Sequence, residues 1–244
     1  MRNALAIIVV ILFLTGLNGC ATVPPGQQDA RDPWQSYNRG MYAFNDALDK
    51  AVMKPVARGY LKITPQFVQT GIGNFFSNFD DFVVLTNDIL QLKGQQAASD
   101  LSRIVWNTTV GLGGFLDVAS SMGMPKHNED FGQTLGYWGV PSGPYLVLPF
   151  FGPSDLRDAP SMVVDLYTDP TIFTQQGDVR WGLFAINAVQ TRAALLPAEK
   201  LLLTDSIDPY ATLRDAYLQR RKYLVYDGHP PQSNSLQQEL ENLD

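Results

Sequence analysis

The spacing of apolar residues along the chain predicts a mainly helical protein. Apolar positions recur at intervals of three and four, the period at which side chains line one face of a helix. The long helices that this period predicts are 33–52, 64–92, 95–109, 178–196 and 208–225. Shorter helices are predicted at 115–122, 129–137 and 154–167, and 145–148 is the one plausible strand, half of a small hairpin. The predicted fold class is therefore all-α, with one small hairpin or Gly/Pro-rich loop.

Three dipeptides mark expected helix starts, because each pairs a capping side chain with a proline at the first helical position. These dipeptides are Asp32-Pro33, Thr64-Pro65 and Asp208-Pro209. Pro55 lies inside the first helical pattern and is expected to interrupt it, since proline has no amide hydrogen to donate. The segment 178–196 is apolar on most sides, which predicts a buried helix.

The helix predicted over 64–92 carries a stripe of phenylalanines on one face. The stripe consists of Phe75, Phe76, Phe79 and Phe82. It fits either a helix packed in a protein core or a helix lying at a membrane interface, and periodicity alone does not separate the two. The helix's polar residues, including Asn78, Asp81 and Asp88, fall outside the stripe.

An uncharged segment, 131–154, occupies the middle of the chain. It contains no Asp, Glu, Lys or Arg, but its many glycines and prolines forbid a continuous helix. Open backbone of this kind cannot face lipid across the hydrocarbon core, because its amides would lack partners. The segment is expected to be a bent, aromatic-rich loop at a lipid-facing wall or along a channel. The alternative is a loop buried in an ordinary core.

Residues 1–19 are expected to be a signal peptide that is absent from the mature protein. Arg2 precedes an uncharged apolar run over 4–17, which ends in small residues. The run is too short for a comfortable transmembrane helix, and a polar linker rich in proline and glutamine follows it.

Cys20 is the only cysteine, so it cannot form an internal disulfide. Its position after Leu-Asn-Gly resembles the lipobox of bacterial lipoproteins, in which the cysteine becomes the acylated first residue. Asn18 departs mildly from the Ala or Ser usual there, and Ala21 favours, by resemblance, sorting to the outer membrane. We expect lipidation of Cys20 and a linker over 20–31; an uncleaved anchor and soluble secretion are the alternatives.

The charge balance narrows the possible partners. Without the signal peptide, and hence without Arg2, the chain has 17 Lys+Arg against 24 Asp+Glu, a net charge of −7. This argues against nucleic acid and against electrostatic docking on anionic lipid. A run of basic residues near the end either holds a lipid headgroup or acidic partner, or forms a solvated helix face. The run comprises Arg214, Arg220, Arg221 and Lys222, and an acidic, disordered tail is expected over 227–244.

The sequence contains no recognisable catalytic or metal-binding motif. His127 and His229 are far apart, and neither belongs to a zinc-ligand pattern. No G-x-S-x-G elbow supplies a hydrolase nucleophile. His127 near Asp130 is interpreted as a surface turn rather than as a partial dyad. Asp80 and Asp81 point apart on a helix, so they cannot act as a paired acid and base. The sequence therefore predicts no enzyme activity, no cofactor and no metal.

An ordered series of motifs resembles the MlaA (VacJ) family of lipoproteins. The motifs are Asp32-Pro33, Asn38-Arg39, Phe44-Asn45, Pro55-Val56-Ala57, Gly73-Asn74-Phe75, Gly114-Phe115, Asp117-Val118-Ala119, Asp130-Phe131-Gly132-Gln133-Thr134-Leu135-Gly136, Gly143-Pro144-Tyr145, Leu148-Pro149-Phe150, Arg157-Asp158 and Asp208-Pro209-Tyr210. They extend over about 32–221, and the tail after 227 departs from the family pattern.

The resemblance implies a single ring-like helical domain over 32–226 that lies in the periplasmic leaflet of the outer membrane of a Gram-negative bacterium. Proteins of this family have an amphipathic channel through which they remove phospholipid mislocalised to the outer leaflet. They associate with trimeric porins and pass the lipid to a periplasmic carrier, MlaC. The implied function is thus intermembrane phospholipid transport without enzyme activity.

The resemblance also indicates, by position, which residues border the channel. They are Asn38, Tyr42, Phe44 and Asn45 near the head of the chain, and Gly139, Ser142, Gly143 and Pro144 in the central loop. Such walls offer a polar headgroup a path without binding it tightly. An envelope scaffold that braces porins without transporting lipid is the alternative. A lipid-cleaving or wall-cleaving enzyme is disfavoured by the missing catalytic groups.

Overall fold

The helices and strands follow the apolar pattern of the sequence closely. A computed structural model of the chain describes residues 29–174, 176–203 and 206–231. The elements are α1 (Gln35–Leu48), α2 (Lys54–Ile63), α3 (Gln66–Leu90), α4 (Gly94–Thr109), α5 (Val118–Ser121), α6 (Phe131–Tyr137), β1 (Tyr145–Leu148), β2 (Gly152–Asp155), α7 (Asp158–Thr168), α8 (Gly177–Leu203) and α9 (Pro209–Val225). The prediction of a mainly helical fold with one small hairpin is confirmed. The predicted signal peptide, Cys20 and the tail from residue 232 onward lie outside the described residues.

A π-helical turn joins α1 to α2 at the place where a break was expected. The turn spans Asp49–Met53, and the Lys54 amide bonds to the Asp49 carbonyl, five residues back. Because this bonding widens the helix, the proline ring and its missing amide hydrogen are tolerated in the first turn of α2. The prediction that Pro55 interrupts the helix is therefore wrong, and residues 35–63 form one continuous helical rod.

Side-chain capping is found at one of the three expected helix starts. Asp208 accepts a hydrogen bond from the Ala211 amide at 3.3 Å and caps α9, as predicted. Pro65, rather than Thr64, precedes α3, and no side chain caps that helix. Asp32 does not cap α1, because its carboxylate is fully buried and accepts hydrogen bonds from side chains instead.

The hairpin supplies the small apolar core of the protein. β1 and β2 are antiparallel, with Tyr145 opposite Asp155 at one end and Leu148 opposite Gly152 at the other. The residues predicted to begin a helix at 154 therefore belong to β2, and the helix begins at Asp158. Tyr145 and Val147 of β1 form a buried cluster with Tyr210 of α9, against which side chains of α1 and α9 pack.

The elements pack against one another in a closed circuit. α2 packs against α8, α8 against α3, and α3 against both α4 and α6. α6 in turn contacts α7 and α9, and α9 contacts the hairpin, which returns to α1. The contacts thus give the helical fold a ring-like order, and the single domain over 32–226 stays a prediction.

Polar and apolar residues are distributed in the opposite way to those of a water-soluble protein. Among the described residues, nine apolar side chains are buried, compared with twenty polar or charged ones. Within the part of the chain that the structure describes, forty-one large apolar side chains are exposed. Soluble monomers rarely expose apolar surface on this scale, and their cores are mostly apolar. The outer surface is therefore suited to contact with lipid or with partner proteins.

α3 illustrates this inversion. Its buried residues are mostly polar, namely Gln69, Gly71, Asn78, Asp81, Val83, Val84, Asn87 and Asp88. The phenylalanine stripe, by contrast, is only partly buried, and Phe82 is 36% exposed. Phe75 packs edge-to-face on Phe79, with ring centroids 4.8 Å apart. The stripe is thus a partly covered outer face, while the polar face of α3 points into the protein.

α8 is exposed over most of its length, so the prediction of a buried helix at 178–196 is wrong. Only Ala193 of this helix is buried, whereas Trp181 and Phe184 are 66% and 58% exposed. The apolar character of α8 on most sides reflects apolar surface rather than a place in the core. Within the described residues, no helix combines the length and the hydropathy needed to cross a membrane.

Candidate functional site

A cavity of about 580 Å³ lies between α1, the hairpin, α8 and α9. Its apolar wall residues include Phe150 and Phe151 next to the hairpin turn and Phe184, Leu195 and Leu202 on α8. Its charged wall residues are Asp46, Asp49, Arg192 and Glu199. The cavity is therefore amphipathic, with aromatic and aliphatic surface beside a group of charges.

Asn38 holds the hairpin from behind the cavity wall. Its Nδ2 donates to the Tyr145 carbonyl at 3.0 Å and to Asp32 Oδ1 at 2.8 Å, and its Oδ1 accepts from the Val147 amide at 2.8 Å. The side chain is fully buried. The Tyr210 hydroxyl donates to the other oxygen of Asp32 at 2.5 Å. Burial and the Asp32 carboxylate raise the pKa of Tyr210 above its usual value, so this hydroxyl remains a donor at neutral pH.

Asn45 lies seven residues after Asn38, hence on the same face of α1, and binds the turn of the hairpin. Its Nδ2 donates to the Leu148 carbonyl at 2.9 Å, and its Oδ1 accepts from the Phe150 amide at 2.8 Å. We call Asn38 and Asn45 the asparagine clamp, because together they bond four backbone groups of the hairpin. The clamp fixes the hairpin against α1 and so shapes one wall of the cavity.

The structure brings together some of the eight predicted channel residues but not all of them. Tyr42 and Asn45 line the cavity. Asn38 lies behind the wall, and Phe44 packs edge-to-face on Phe150, with ring centroids 5.4 Å apart. Their place on a lipid path stays a prediction.

The four predicted residues of the central loop form a turn that does not contribute to the wall of this cavity. Gly139 and Gly143 adopt positive φ values of 87° and 70°, which favour glycine. The carbonyls of Ser142 and Pro144 accept hydrogen bonds, each at 3.1 Å, from the two backbone amides that follow β2. The turn is thus hydrogen-bonded to protein, and the role of its residues on a lipid path stays a prediction.

A charged group at the cavity connects the first helical rod to α8. Arg192 Nε and Nη2 bond to the two oxygens of Asp49 at 2.6 and 2.7 Å, and Nη2 also bonds to Glu199. Lys54 donates to Glu199 at 2.5 Å. Burial alone would raise the pKa of Glu199, but hydrogen bonds from Lys54 and Arg192 lower it below its usual value. This group has no local sequence signal, because Asp49 and Arg192 are 143 positions apart.

A second ion cluster ties α6, α7 and α9 together. Arg221 of α9 pairs with Asp130, the N-cap of α6, at 2.5 and 2.9 Å, and with Asp158 of α7 at 2.5 Å. Tyr217 donates to Asp158 at 2.8 Å. Burial opposes ionisation of Asp130, but the hydrogen bonds from Arg221 outweigh it and lower the pKa of Asp130. A Cβ at Gly132 would overlap the Asp158 carboxylate, so the backbone of α6 lies directly against the cluster.

The four basic residues of α9 do not form a common surface. Arg214 and Arg221 are largely buried in ion pairs with carboxylates of other segments. Arg220 and Lys222 are exposed. The interpretation as a solvated helix face therefore holds only for Arg220 and Lys222, and the basic residues do not provide one joint headgroup site.

Asp165 of α7 should make stability fall as the pH rises from about 4 to about 6. Burial raises the pKa of Asp165 to about 6, with Asp130 adding to the effect, while hydrogen bonds from the Phe131 amide and Asn87 and the charge of Arg221 oppose it. The folded state thus holds a proton that the unfolded chain has already lost, so unfolding becomes easier as that proton leaves. Asparagine carries no such proton, so the unfolding free energy of the Asp165→Asn variant should not fall in this way. Relative to wild type, it should rise by about 1.5 kcal/mol between pH 4 and pH 6, a value reduced to allow for the partial exposure of the group.

Unfolding of both proteins in mild detergent at pH 4, 5, 6 and 7 measures this difference. The exposed Asp178→Asn variant is the matched control and should follow the wild-type profile. If the unfolding free energies of wild type and Asp165→Asn changed with pH in parallel, Asp165 would not be the group that causes the pH dependence.

The fold and the cavity define a class of protein. It is a mainly helical ring with polar interior contacts, an apolar outer surface and an amphipathic cavity, an arrangement suited to lipid contact. A family model described as MlaA lipoprotein matches residues 30–224, and the chain belongs to this MlaA lipoprotein family.

Individual relatives agree with the family match. The chain is 36% identical over 243 residues to the intermembrane phospholipid transport system lipoprotein MlaA of Escherichia coli K12, with 96% of each chain covered. It is 37% identical to the protein of the same name from Shigella flexneri, again over 96% of each chain. An uncharacterized protein of Rickettsia felis is 35% identical over 209 residues, which cover 85% of this chain and 80% of that protein.

A solved structure is also similar to this chain. It comes from work described as the structural basis for maintenance of bacterial outer membrane lipid asymmetry. The match has a TM-score of 0.69 at 33% sequence identity and covers 80% of this chain and 98% of that chain.

Proposed function

We propose that this chain is a lipid-anchored outer-membrane protein that takes part in intermembrane phospholipid transport. In this proposal it removes mislocalised phospholipid from the outer leaflet and delivers it toward a periplasmic carrier of the MlaC type. The names of the Escherichia coli and Shigella relatives support a role in phospholipid transport. The apolar outer surface and polar interior support a position within one leaflet, where acyl chains contact the outside of the ring.

The observation that carries the proposal is the amphipathic cavity beside the hairpin. Acyl chains would contact apolar wall residues such as Phe150, Phe151 and Leu195, and the headgroup would lie near Arg192. Two carboxylates already bond to Arg192, so a lipid phosphate would compete with them and bind only weakly. Weak binding suits transport, because a site that holds its cargo tightly does not release it.

The anchor and the partners extend the same proposal. Acylation of Cys20 would hold the ring at the periplasmic side of the outer membrane, and mass spectrometry of the mature N-terminal peptide tests it. The family resemblance further suggests trimeric porins as neighbours, which would cover part of the exposed apolar surface. Crosslinking from Phe76 and Phe79 in native membranes, with lipid, porin or neither as the readout, tests this contact.

Filling the cavity should abolish lipid transport without unfolding the protein. Ala188 of α8 lines the cavity, so the Ala188→Trp variant places an indole where the lipid would pass. We expect surface-accessible phospholipid to rise to the level of a strain that lacks the protein. Labelling of intact cells with a membrane-impermeant, amine-reactive probe measures phosphatidylethanolamine in the outer leaflet.

The matched control is Ala185→Trp, one turn earlier on the exposed part of α8. This variant should keep the amount of phospholipid in the outer leaflet at the wild-type level. If both tryptophan variants kept full asymmetry, the porin-bracing scaffold would become the better account. A bulky residue at Gly143 is a weaker test, because the positive φ there strains any side chain whatever the function.

A further inference from the structure

Three side chains that are distant in sequence meet beside the helix pair α3 and α4. Asp88 comes from α3, Asp100 from α4 and His127 from the segment between α5 and α6. One oxygen from each carboxylate and one ring nitrogen lie within 4.8 Å of one another. His127 Nδ1 lies 2.9 and 3.0 Å from the two oxygens of Asp100. Both carboxylates are fully buried, and the His127 side chain is 22% exposed.

Among the described residues, no amide, hydroxyl or cationic side chain donates a hydrogen bond to the Asp88 carboxylate, and only the Asp100 carboxyl can bond to it, by sharing a proton. Neither of its two oxygens accepts a hydrogen bond, although both are buried. The nearby cationic side chains are committed elsewhere, because Lys93, Arg103 and Lys126 each pair with other carboxylates. A buried carboxylate without a partner is costly, so this arrangement calls for a cation or a proton at the cluster.

We propose that Asp88, Asp100 and His127 bind a divalent first-row transition-metal ion, with Zn²⁺ as the reference ion. Two carboxylates and a neutral imidazole carry a charge of −2, which a divalent cation neutralises. The imidazole favours a transition metal over Mg²⁺ or Ca²⁺, which prefer oxygen ligands alone. Three protein ligands leave one position of a tetrahedral ion for water. The partly exposed His127 marks the side from which an ion enters.

A bound ion would fasten three segments at one point. It would connect the end of α3 to the middle of α4 and both helices to the segment that leads into α6. This site is separate from the amphipathic cavity and uses none of its wall residues. Its role would be to stiffen the part of the ring that α3 and α4 form.

Metal titration of the purified full-length lipoprotein in mild detergent tests the site. The protein is produced with a purification tag free of histidine, stripped with EDTA and titrated with ZnCl₂ or CoCl₂. We expect one equivalent of Zn²⁺ by mass spectrometry of the metal content and a rise in Tm of about 5 °C at saturation. Bound Co²⁺ should show visible absorption bands characteristic of a nitrogen- and oxygen-ligated ion.

Variants assign the binding to the three residues. Asp88→Asn and His127→Gln should each weaken Zn²⁺ binding at least about a hundredfold, because losing even an outer-shell partner costs up to that much. The controls are His229→Gln and Asp80→Asn, which change exposed residues of the same two types and should bind normally.

Failure of the stripped wild type to bind Zn²⁺ or Co²⁺ would overturn the proposal, and the wild-type titration decides this even if a variant does not fold. Unchanged binding in both ligand variants would also overturn it. An Asp88→Asn protein that is more stable than a wild type insensitive to metal would show that the two carboxylates share a proton instead.

Discussion

Replacing Arg221 with leucine should destabilise the protein by about 4 kcal/mol, the cost typical of breaking a buried ion pair by removing one partner. Arg221 is the common partner of Asp130 and Asp158, and all three lie between α6, α7 and α9. Leucine would leave the half-buried Asp130 without its cation and the buried Asp158 with Arg157 and the Tyr217 hydroxyl as its remaining partners. Thermal unfolding in mild detergent should show a Tm about 10 °C below wild type.

The neighbouring Arg220 provides the matched control, because it is exposed and of the same type. Arg220→Leu should change stability by no more than about 0.5 kcal/mol. Arg221→Lys should fall between the two, since lysine keeps the charge but loses the paired hydrogen bonds of the guanidinium group. Equal stability of Arg221→Leu and Arg220→Leu would show that the cluster does not hold the three helices together.

Replacing Asn38 with leucine should lower the free energy of unfolding by a similar amount, about 4 kcal/mol. The reason is that each buried polar group left without a partner costs about 1–3 kcal/mol. The change keeps the branched shape of the side chain but removes three hydrogen bonds at once. It frees the Tyr145 carbonyl, the Val147 amide and one oxygen of Asp32, all in a buried environment. Since the hairpin forms one wall of the cavity, lipid transport should be lost together with stability.

Unfolding and the surface-phospholipid assay together test this expectation. The exposed Asn128→Ala variant should match wild type in both measurements. A stable Asn38→Leu protein would mean that the hairpin is held by other contacts, and the asparagine clamp would lose its assigned role.

Local sequence signals predicted the elements of the fold well. The strand at 145–148 has the predicted bounds, and α9 begins at the proline that follows Asp208. The failure at Pro55 has a tertiary cause. A π-helical turn precedes this proline, and its first residue, Asp49, is held by Arg192 of α8. No pattern within the first helix could have revealed that contact.

Burial was predicted less well than secondary structure. An apolar helix face indicates that the face avoids water, but not whether protein or lipid covers it. For this reason the apolar pattern predicts a buried α8 although the helix is mostly exposed, and it does not identify the polar face of α3 as the inner face. Periodicity alone does not tell whether an apolar face points to the protein core or to a bilayer or partner protein.

The candidate site was predicted in part, and only through the family resemblance. It indicated Asn38 and Asn45, but not that their side chains would bond the backbone of β1. The charged group formed by Asp49, Arg192 and Glu199 gave no local signal. The same is true of His127, whose partner is Asp100 rather than the sequence neighbour Asp130.

The inverted distribution of side chains has a consequence for how such proteins are recognised. The mean hydropathy of the whole chain is −0.08, a value that ordinary water-soluble enzymes share. A sliding-window profile averages the hydropathy of the apolar outer face of each helix with that of its polar inner face, so the two contributions cancel in every window. Genome surveys that classify chains by hydropathy plots will group proteins of this architecture with water-soluble proteins. Counting apolar residues separately on each face of each helix distinguishes the two classes.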